Sequence, residues 1–153
     1  MHTEPKAIID DVFPRMLEEL TFLFADPEEG GGPQGMPHDA VRVVIGFSGE
    51  KRGTLEMAIG RSLGIEMAAN LLGLDPDAEE ALTLGDDALR ELMNVTCGHV
   101  LTTLAGDKPV FNLSIPEVSP MDGAAWDAFA RDSNTAQFSV DGRPVQLRLH
   151  VES

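Results

Sequence analysis

The sequence is poor in basic side chains and in cysteine. The first shortage argues against two kinds of partner, and the second excludes one kind of covalent cross-link. Against 26 aspartate and glutamate residues stand only 11 lysine and arginine residues, so the formal net charge of the 153-residue chain is −15 at pH 7. A chain this acidic repels nucleic-acid phosphates and anionic lipid surfaces, and we expect neither nucleic acid nor a membrane as partner. The single cysteine, Cys97, excludes an intramolecular disulfide.

Long apolar runs and targeting signals are also lacking. No apolar run approaches the roughly 18 residues that a membrane-spanning helix needs. The N-terminal stretch MHTEPKAIIDDVFPR does not have the basic-then-apolar layout of a signal peptide. We therefore expect a cytoplasmic location.

Motifs for nucleotides, hydrolase triads and metals are missing as well. The sequence contains no Walker A, G-x-G-x-x-G or G-x-S-x-G pattern. Its four histidines share no metal-ligand spacing, and the acidic residues between Asp75 and Glu80 lack the spacing and the glycine of a calcium loop. We predict no metal site, and we expect Cys97 to have a structural role on the apolar side of a helix.

The length fits one globular domain, so we predict a single domain over residues 1–153. Four glycines and three prolines fall between Ala25 and His38, a composition that cannot sustain a helix or a central strand. We therefore predict a flexible loop at about residues 25–39.

Apolar spacing predicts the element order α, ββ, α, α, β, ββ. The predicted helices are Glu4–Phe24 with a kink or break at Pro14, a helix between an N-cap at Ser62 and Gly73, and a helix over about Asp86–Ala105. The predicted strands are Val41–Phe47, Gly53–Gly60, Val110–Ile115, Asn134–Val140 and Pro144–Val151. A turn at Asp141-Gly142 joins the last two strands, and the segment around Trp126 is a short helix or an irregular cover. These elements predict an α+β fold, with an antiparallel or mixed β-sheet and long helices packed on one face.

The helix over about Asp86–Ala105 carries a narrow polar stripe. At about 100° per residue, five residues fall on one sector of the helix: Asp87, Glu91, Asn94, Gly98 and Thr102. The opposite side is expected to face the core and consists of Leu89, Leu92, Met93, Cys97, Val100 and Leu104, with Thr96 and Thr103 among them.

The composition of this stripe is unusual for a solvated helix face. Asp87 and Glu91 place like charges four residues apart, which is unfavourable, and Gly98 costs about 0.8–1 kcal/mol relative to alanine. Such a face fits a partner surface laid closely against it. The Asn94 carboxamide cannot act as a general base, but it can donate and accept hydrogen bonds together and so hold a water molecule in one orientation. Positioning of this kind accounts for most of catalysis in phosphoryl transfer to water.

The pattern Asp87-x-x-x-Glu91-x-x-Asn94, followed by Gly98 and Pro116, resembles the signature of the CheC, CheX and FliY chemotaxis phosphatases. The GIEMAANLLG and FNLSIPEV segments are similar to the CheX branch. This resemblance implies hydrolysis of the aspartyl phosphate on a CheY-type response-regulator receiver domain.

The resemblance also implies a role for each matching residue. Asn94 would orient the attacking water, and Glu91 would pair with the active-site lysine of the phosphorylated receiver. Asp87, Gly98 and Thr102 would support docking. The resemblance further implies one site per chain, a homodimer formed through the sheets, and no cofactor on this chain, because the Mg²⁺ belongs to the receiver.

Two other interpretations of the same stripe remain open. The chain could be a CheX-like binding module that docks a receiver or another signalling partner without turnover. Alternatively, the stripe could pack against another copy of the chain. Exposure of Glu91 and Asn94 tests the catalytic interpretation, because burial of either side chain contradicts it. An unchanged phosphate lifetime on a bound receiver would instead indicate the binding module.

Overall fold

Four helices and one antiparallel sheet form the described part of the chain, which in the computed structural model comprises residues 4–27, 35–75, 83 and 85–152. The elements, in chain order, are α1 (Pro5–Thr21), β1 (Ala25–Pro27), β2 (Ala40–Ser48), β3 (Gly53–Gly60), α2 (Arg61–Leu71), α3 (Asp86–Ala105), β4 (Asn112–Leu113), β5 (Glu117–Pro120), α4 (Gly123–Arg131), β6 (Thr135–Val140) and β7 (Arg143–Val151). The predicted α+β class is confirmed.

The sheet has the order β1-β6-β7-β3-β2, and both β4 and β5 pair with the outer side of β2. Alternate residues of each long strand face α1, α2 and α3, and together with these helices they form the main core. The long helices thus pack on one face, as the sequence predicts. The opposite face carries α4, whose Trp126 and Phe129 cover Ala40 and Ala58 in a second, smaller core.

The ends of the helices differ from several expectations. The first helix is continuous from Pro5 to Thr21 through Pro14. Phe24, which the pattern placed on the apolar stripe of this helix, is 63% exposed.

Across the described ranges, no helix has the length and apolar character needed to cross a membrane.

The prediction of Ser62 as the N-cap of α2 is wrong. The helix begins at Arg61, with Gly60 in the N-cap position. The side chain that satisfies this end is Asp39, whose Oδ2 accepts the Ser62 backbone N–H at 2.8 Å. Partial burial opposes ionisation of Asp39, but hydrogen bonds from Ser62 outweigh it and hold the pKa of this carboxyl below its ordinary value. Gly73 does adopt the left-handed conformation expected beyond the end of the helix, with φ +73°.

The segment predicted as a loop at about 25–39 begins with a short strand. Ala25–Pro27 forms β1 and pairs with β6 at the edge of the sheet, a position where the missing N–H of proline is tolerated. Residues 28–34 lie outside the described residues, as do residues 76–80 of the acidic linker.

The single strand predicted at Val110–Ile115 is wrong in extent. Only Asn112–Leu113 pairs with β2, and pairing resumes at Glu117, so residues 114–116 stand opposite residues 45–46 as a bulge. Pro116 is the physical reason, because it cannot donate an N–H to the ladder. The closing hairpin is confirmed, with positive φ at both turn residues, Asp141 and Gly142.

The position of α3 depends on a close approach to α2. A Cβ placed on Gly64 of α2 would lie 2.4 Å from Cδ2 of Leu89 on α3. Both residues are buried. The absence of a side chain at Gly64 therefore sets how near the two helices pack.

We predict that Gly64→Ala destabilises the protein by about 1–3 kcal/mol, because the added methyl overpacks the contact between the two helices. Urea unfolding measured with and without the substitution gives the difference. An unchanged free energy of unfolding would show that the Leu89 side chain can move aside, and the close-approach argument would be wrong.

Candidate functional site

The long helix α3 begins after Gly85 and ends before Gly106, and both flanking glycines have positive φ. The side predicted to face the core is buried at Leu89, Leu92, Met93, Cys97 and Val100. Thr96 is also buried, and its hydroxyl is satisfied because it donates to the Leu92 carbonyl at 2.7 Å. These residues fix which face of α3 points outward.

Four residues depart from that prediction. Leu104 is only partly buried, and Thr103 is exposed. Ala88 and Leu101 are buried although the pattern did not assign them to the core. The last turn of α3 therefore lies further from the core than the sequence indicated.

The five stripe residues share one outward face of α3, as the helical spacing predicts. Asp87, Glu91 and Thr102 are exposed, whereas Asn94 and Gly98 are partly buried. Within the part of the chain that the structure describes, no hydrogen bond or ion pair engages the side chains of Glu91 or Asn94. Glu91 is thus exposed and Asn94 partly exposed, about one helical turn apart on the same face of α3.

The two carboxylates of the stripe are not equivalent. Asp87 Oδ1 accepts a hydrogen bond from Arg90 Nη1 at 2.8 Å, and Arg90 Nε also donates to the Pro116 carbonyl at 3.2 Å. Pro116 is buried beside the helix, and its carbonyl is held there by the hydrogen bond from Arg90. Sequence reasoning missed Arg90, although its spacing of three residues from Asp87 is one at which helical side chains meet.

Gly98 lies beside an open groove between α1 and α3, lined by Arg15, Glu19, Val95, Gly98, His99, Thr102 and Thr103. A Cβ built on Gly98 would have no other group within 4 Å. The Thr102 hydroxyl donates to the Gly98 carbonyl at 3.0 Å, a bond within the helix that does not depend on the glycine. The fold itself therefore gives no reason for glycine at this position.

The chemistry available on this face is hydrogen bonding and charge pairing. In the described residues there is no group of three or more histidine, cysteine, aspartate or glutamate side chains that could hold a metal ion. Cys97 points into the core, where burial raises the pKa of its thiol to about 11, so it is not a nucleophile for this face. The amide of Asn94 and the carboxylate of Glu91 can position a water molecule and bind a cation.

Comparison with known families gives a match over more than half of the chain. The family model described as "Chemotaxis phosphatase CheX" matches residues 41–133, a range that includes all five stripe residues and Pro116. A comparison with curated protein sequences finds no match.

Several solved structures have the same fold. The chemotaxis protein CheX from Desulfovibrio desulfuricans shares 16% identity, with 97% of this chain and 99% of that chain covered and a TM-score of 0.65. CheX from Vibrio vulnificus shares 20% identity, with 95% and 97% covered and a TM-score of 0.63. A chain of the CheX–CheY–BeF3–Mg²⁺ complex from Borrelia burgdorferi shares 20% identity, with 99% and 100% covered and a TM-score of 0.62.

We predict that Gly98→Ala stabilises the protein by about 0.5–1 kcal/mol, because alanine favours the helix and its methyl projects into open space. Urea unfolding of this variant beside Gly64→Ala is the measurement, since both are helical glycines and the two shifts should have opposite sign. A loss of stability in Gly98→Ala would show that the fold does require glycine there.

We also predict that the Cys97 thiol reacts with an aromatic disulfide reagent only as fast as the protein opens. Burial holds its pKa at about 11, so at pH 8 the native thiol is protonated as well as inaccessible. The pKa of Cys97 in the folded protein lies above the unfolded value of 9.0. The stability linked to protonation of this thiol is therefore complete below pH 9.0 and declines as the pH rises from 9.0 towards the folded pKa. Rapid modification of the folded protein at pH 8 would contradict the buried assignment.

Proposed function

The chain belongs to the CheX family of chemotaxis phosphatases, and on that premise we propose that it hydrolyses the aspartyl phosphate of a CheY-type receiver domain. In this proposal Asn94 orients the attacking water and Glu91 docks to the receiver's active-site lysine. The observation that carries the proposal is the accessibility of both side chains on one helix face. Each is available to a partner because neither is engaged within the described part of the chain.

The reaction requires a water molecule to be held in line with the bond that breaks. The water oxygen forms a new bond to phosphorus as the bond to the aspartyl carboxylate oxygen breaks. The carboxylate is released in its ionised form, and both protons of the water leave with inorganic phosphate as H2PO4⁻. An amide suits this step because its oxygen accepts a hydrogen bond from the water while its NH2 group donates another. The two hydrogen bonds fix the direction of the water lone pair that attacks phosphorus.

Glu91 contributes binding and register in this proposal. Its carboxylate is available to bind a cation, because Glu91 is exposed and has no ion pair among the described residues. Glu91 lies three residues before Asn94. A lysine bound there fixes the receiver relative to the amide. Asp87 and Thr102 flank this pair along the same face, where they support docking.

Gly98 allows the approach of the receiver surface. It lies one turn after Asn94, where a side chain would project outward into open space. The glycine costs helix stability and has no internal packing role, so a closely approaching partner accounts for it.

The metal ion of the reaction belongs to the receiver in this proposal. Mg²⁺ on the receiver would neutralise the phosphoryl charge that develops during hydrolysis. The Borrelia burgdorferi complex contains CheX, CheY, BeF3 and Mg²⁺ together, which supports a CheY-type partner. We further propose a homodimer formed through the sheet, with the α3 face left free for the receiver.

We predict that Asn94→Ala lowers the rate of receiver dephosphorylation by about 10²–10³-fold, because one positioned polar group at a transition state contributes on this scale. The measurement is the decay of a radiolabelled phosphoryl group on a CheY-type receiver in Mg²⁺, with the chain present in substoichiometric amount. Asn70→Ala is the matched control, since Asn70 lies on α2 and is not a stripe residue, so its loss should leave the rate unchanged.

Three results would contradict the proposal. Equal decay with Asn94→Ala and wild type would refute the role of the amide. Tight binding of the phosphorylated receiver without any shortening of the phosphate lifetime would instead identify a binding module. A self-association that buries Asn94 and is lost in Asn94→Ala would favour packing between copies.

A further inference from the structure

Arg90 lies beside the stripe and binds two partners at once. Its Nη1 donates to Asp87 Oδ1 at 2.8 Å, and its Nε donates to the Pro116 carbonyl at 3.2 Å. The guanidinium is thus held between the first turns of α3 and the bulge that precedes β5. Its side chain is 36% exposed, so it reaches the surface that a partner would meet.

This arrangement leaves the two carboxylates of the stripe in different states. Asp87 and Glu91 are four residues apart, so both face the same approaching surface. Asp87 is engaged with Arg90, whereas Glu91 has no ion pair in the described ranges. A cation that approaches the stripe therefore meets one available carboxylate instead of two.

The hydrogen bond to Pro116 makes the Asp87–Arg90 pair more persistent. An exposed ion pair by itself contributes little to stability and exchanges readily with water. Here the second bond restricts the guanidinium, because the carbonyl that accepts it belongs to a fixed segment. Ser114 of the same bulge is tied to Gly46, with its backbone N–H donating at 2.9 Å and its hydroxyl accepting at 2.8 Å.

We propose that Arg90 is a positioning residue that sets the docking register: by occupying Asp87, it leaves Glu91 as the carboxylate that receives the partner's lysine. This inference rests on the proposed function. A lysine bound to Asp87 instead would shift the receiver by about 6 Å along α3, one helical turn. The phosphoryl group would then lie away from Asn94, so the receiver would bind without being hydrolysed.

The test combines substitutions at three positions with two assays. The first assay measures binding of a CheY-type receiver domain that carries beryllofluoride and Mg²⁺, and the second follows the decay of its phosphoryl group. We expect Glu91→Gln alone to weaken binding by about tenfold or more, as truncation of a docking charge does. Arg90→Met added to Glu91→Gln frees Asp87, so most of the binding should return while hydrolysis stays lost. Asp87→Asn added to that pair should abolish the recovery.

Two control variants separate register from general structural effects. Arg90→Lys keeps a cation beside Asp87, so Glu91→Gln with Arg90→Lys should bind as weakly as Glu91→Gln alone. Arg61→Met is the matched control, because Arg61 is 39% exposed and pairs with the neighbouring carboxylate of Asp86. It should leave wild-type activity unchanged and recover no binding in the Glu91→Gln background. Recovery of binding by a second substitution cannot result from a loss of folding.

The outcomes distinguish this inference from the function on which it rests. If wild type hydrolyses the phosphoryl group but Arg90→Met restores no binding to Glu91→Gln, the register role is wrong and the proposed function stands. If Glu91→Gln binds as tightly as wild type, both the docking role of Glu91 and the role of Arg90 are overturned. If wild type hydrolyses no receiver phosphate, the proposed function itself fails and the register argument fails with it.

Discussion

Burial of the apolar side of α3 is the constraint on which the rest of the site depends. Leu89, Leu92, Met93, Cys97 and Val100 are all at most 1% exposed, so α3 cannot rotate about its axis without losing several kcal/mol of hydrophobic stabilisation. The helix is further fixed by the close contact at Gly64 and by the hydrogen bond from Arg90 to Pro116. Fixed in this way, α3 presents the opposite face, with Glu91 and Asn94, to the solvent.

The outward face is less stable than an ordinary helix surface. Gly98 lowers helix propensity with no packing gain, and Asp87 repels Glu91 across one turn. The protein compensates for the charge repulsion locally, because Arg90 binds Asp87. It does not compensate for Gly98, whose missing side chain leaves room above the helix. The two features together agree with the proposed docking of a partner that brings a positive charge.

The sequence was sufficient for the parts of the fold that depend on local periodicity. The stripe of α3 and the hairpin at Asp141-Gly142 follow from helical spacing and from turn chemistry, both of which involve neighbouring residues. Non-local contacts could not be predicted in this way. Asp39 caps α2 from 23 residues earlier in the chain, and the bulge at residues 114–116 depends on how β2 pairs with two separate short strands. The Arg90 contact with Pro116 spans 26 residues, so only the tertiary structure reveals it.

The most direct test of the account is to observe the Asn94 side chain while a receiver binds. The side-chain amide of Asn94 and the backbone amide of Gly98 can be followed by nuclear magnetic resonance during titration with a CheY-type receiver in Mg²⁺. We expect both signals to shift strongly with the beryllofluoride-bound receiver and weakly with the free receiver. Shifts confined to α4 and the opposite face of the sheet, with Asn94 and Gly98 unaffected, would contradict it.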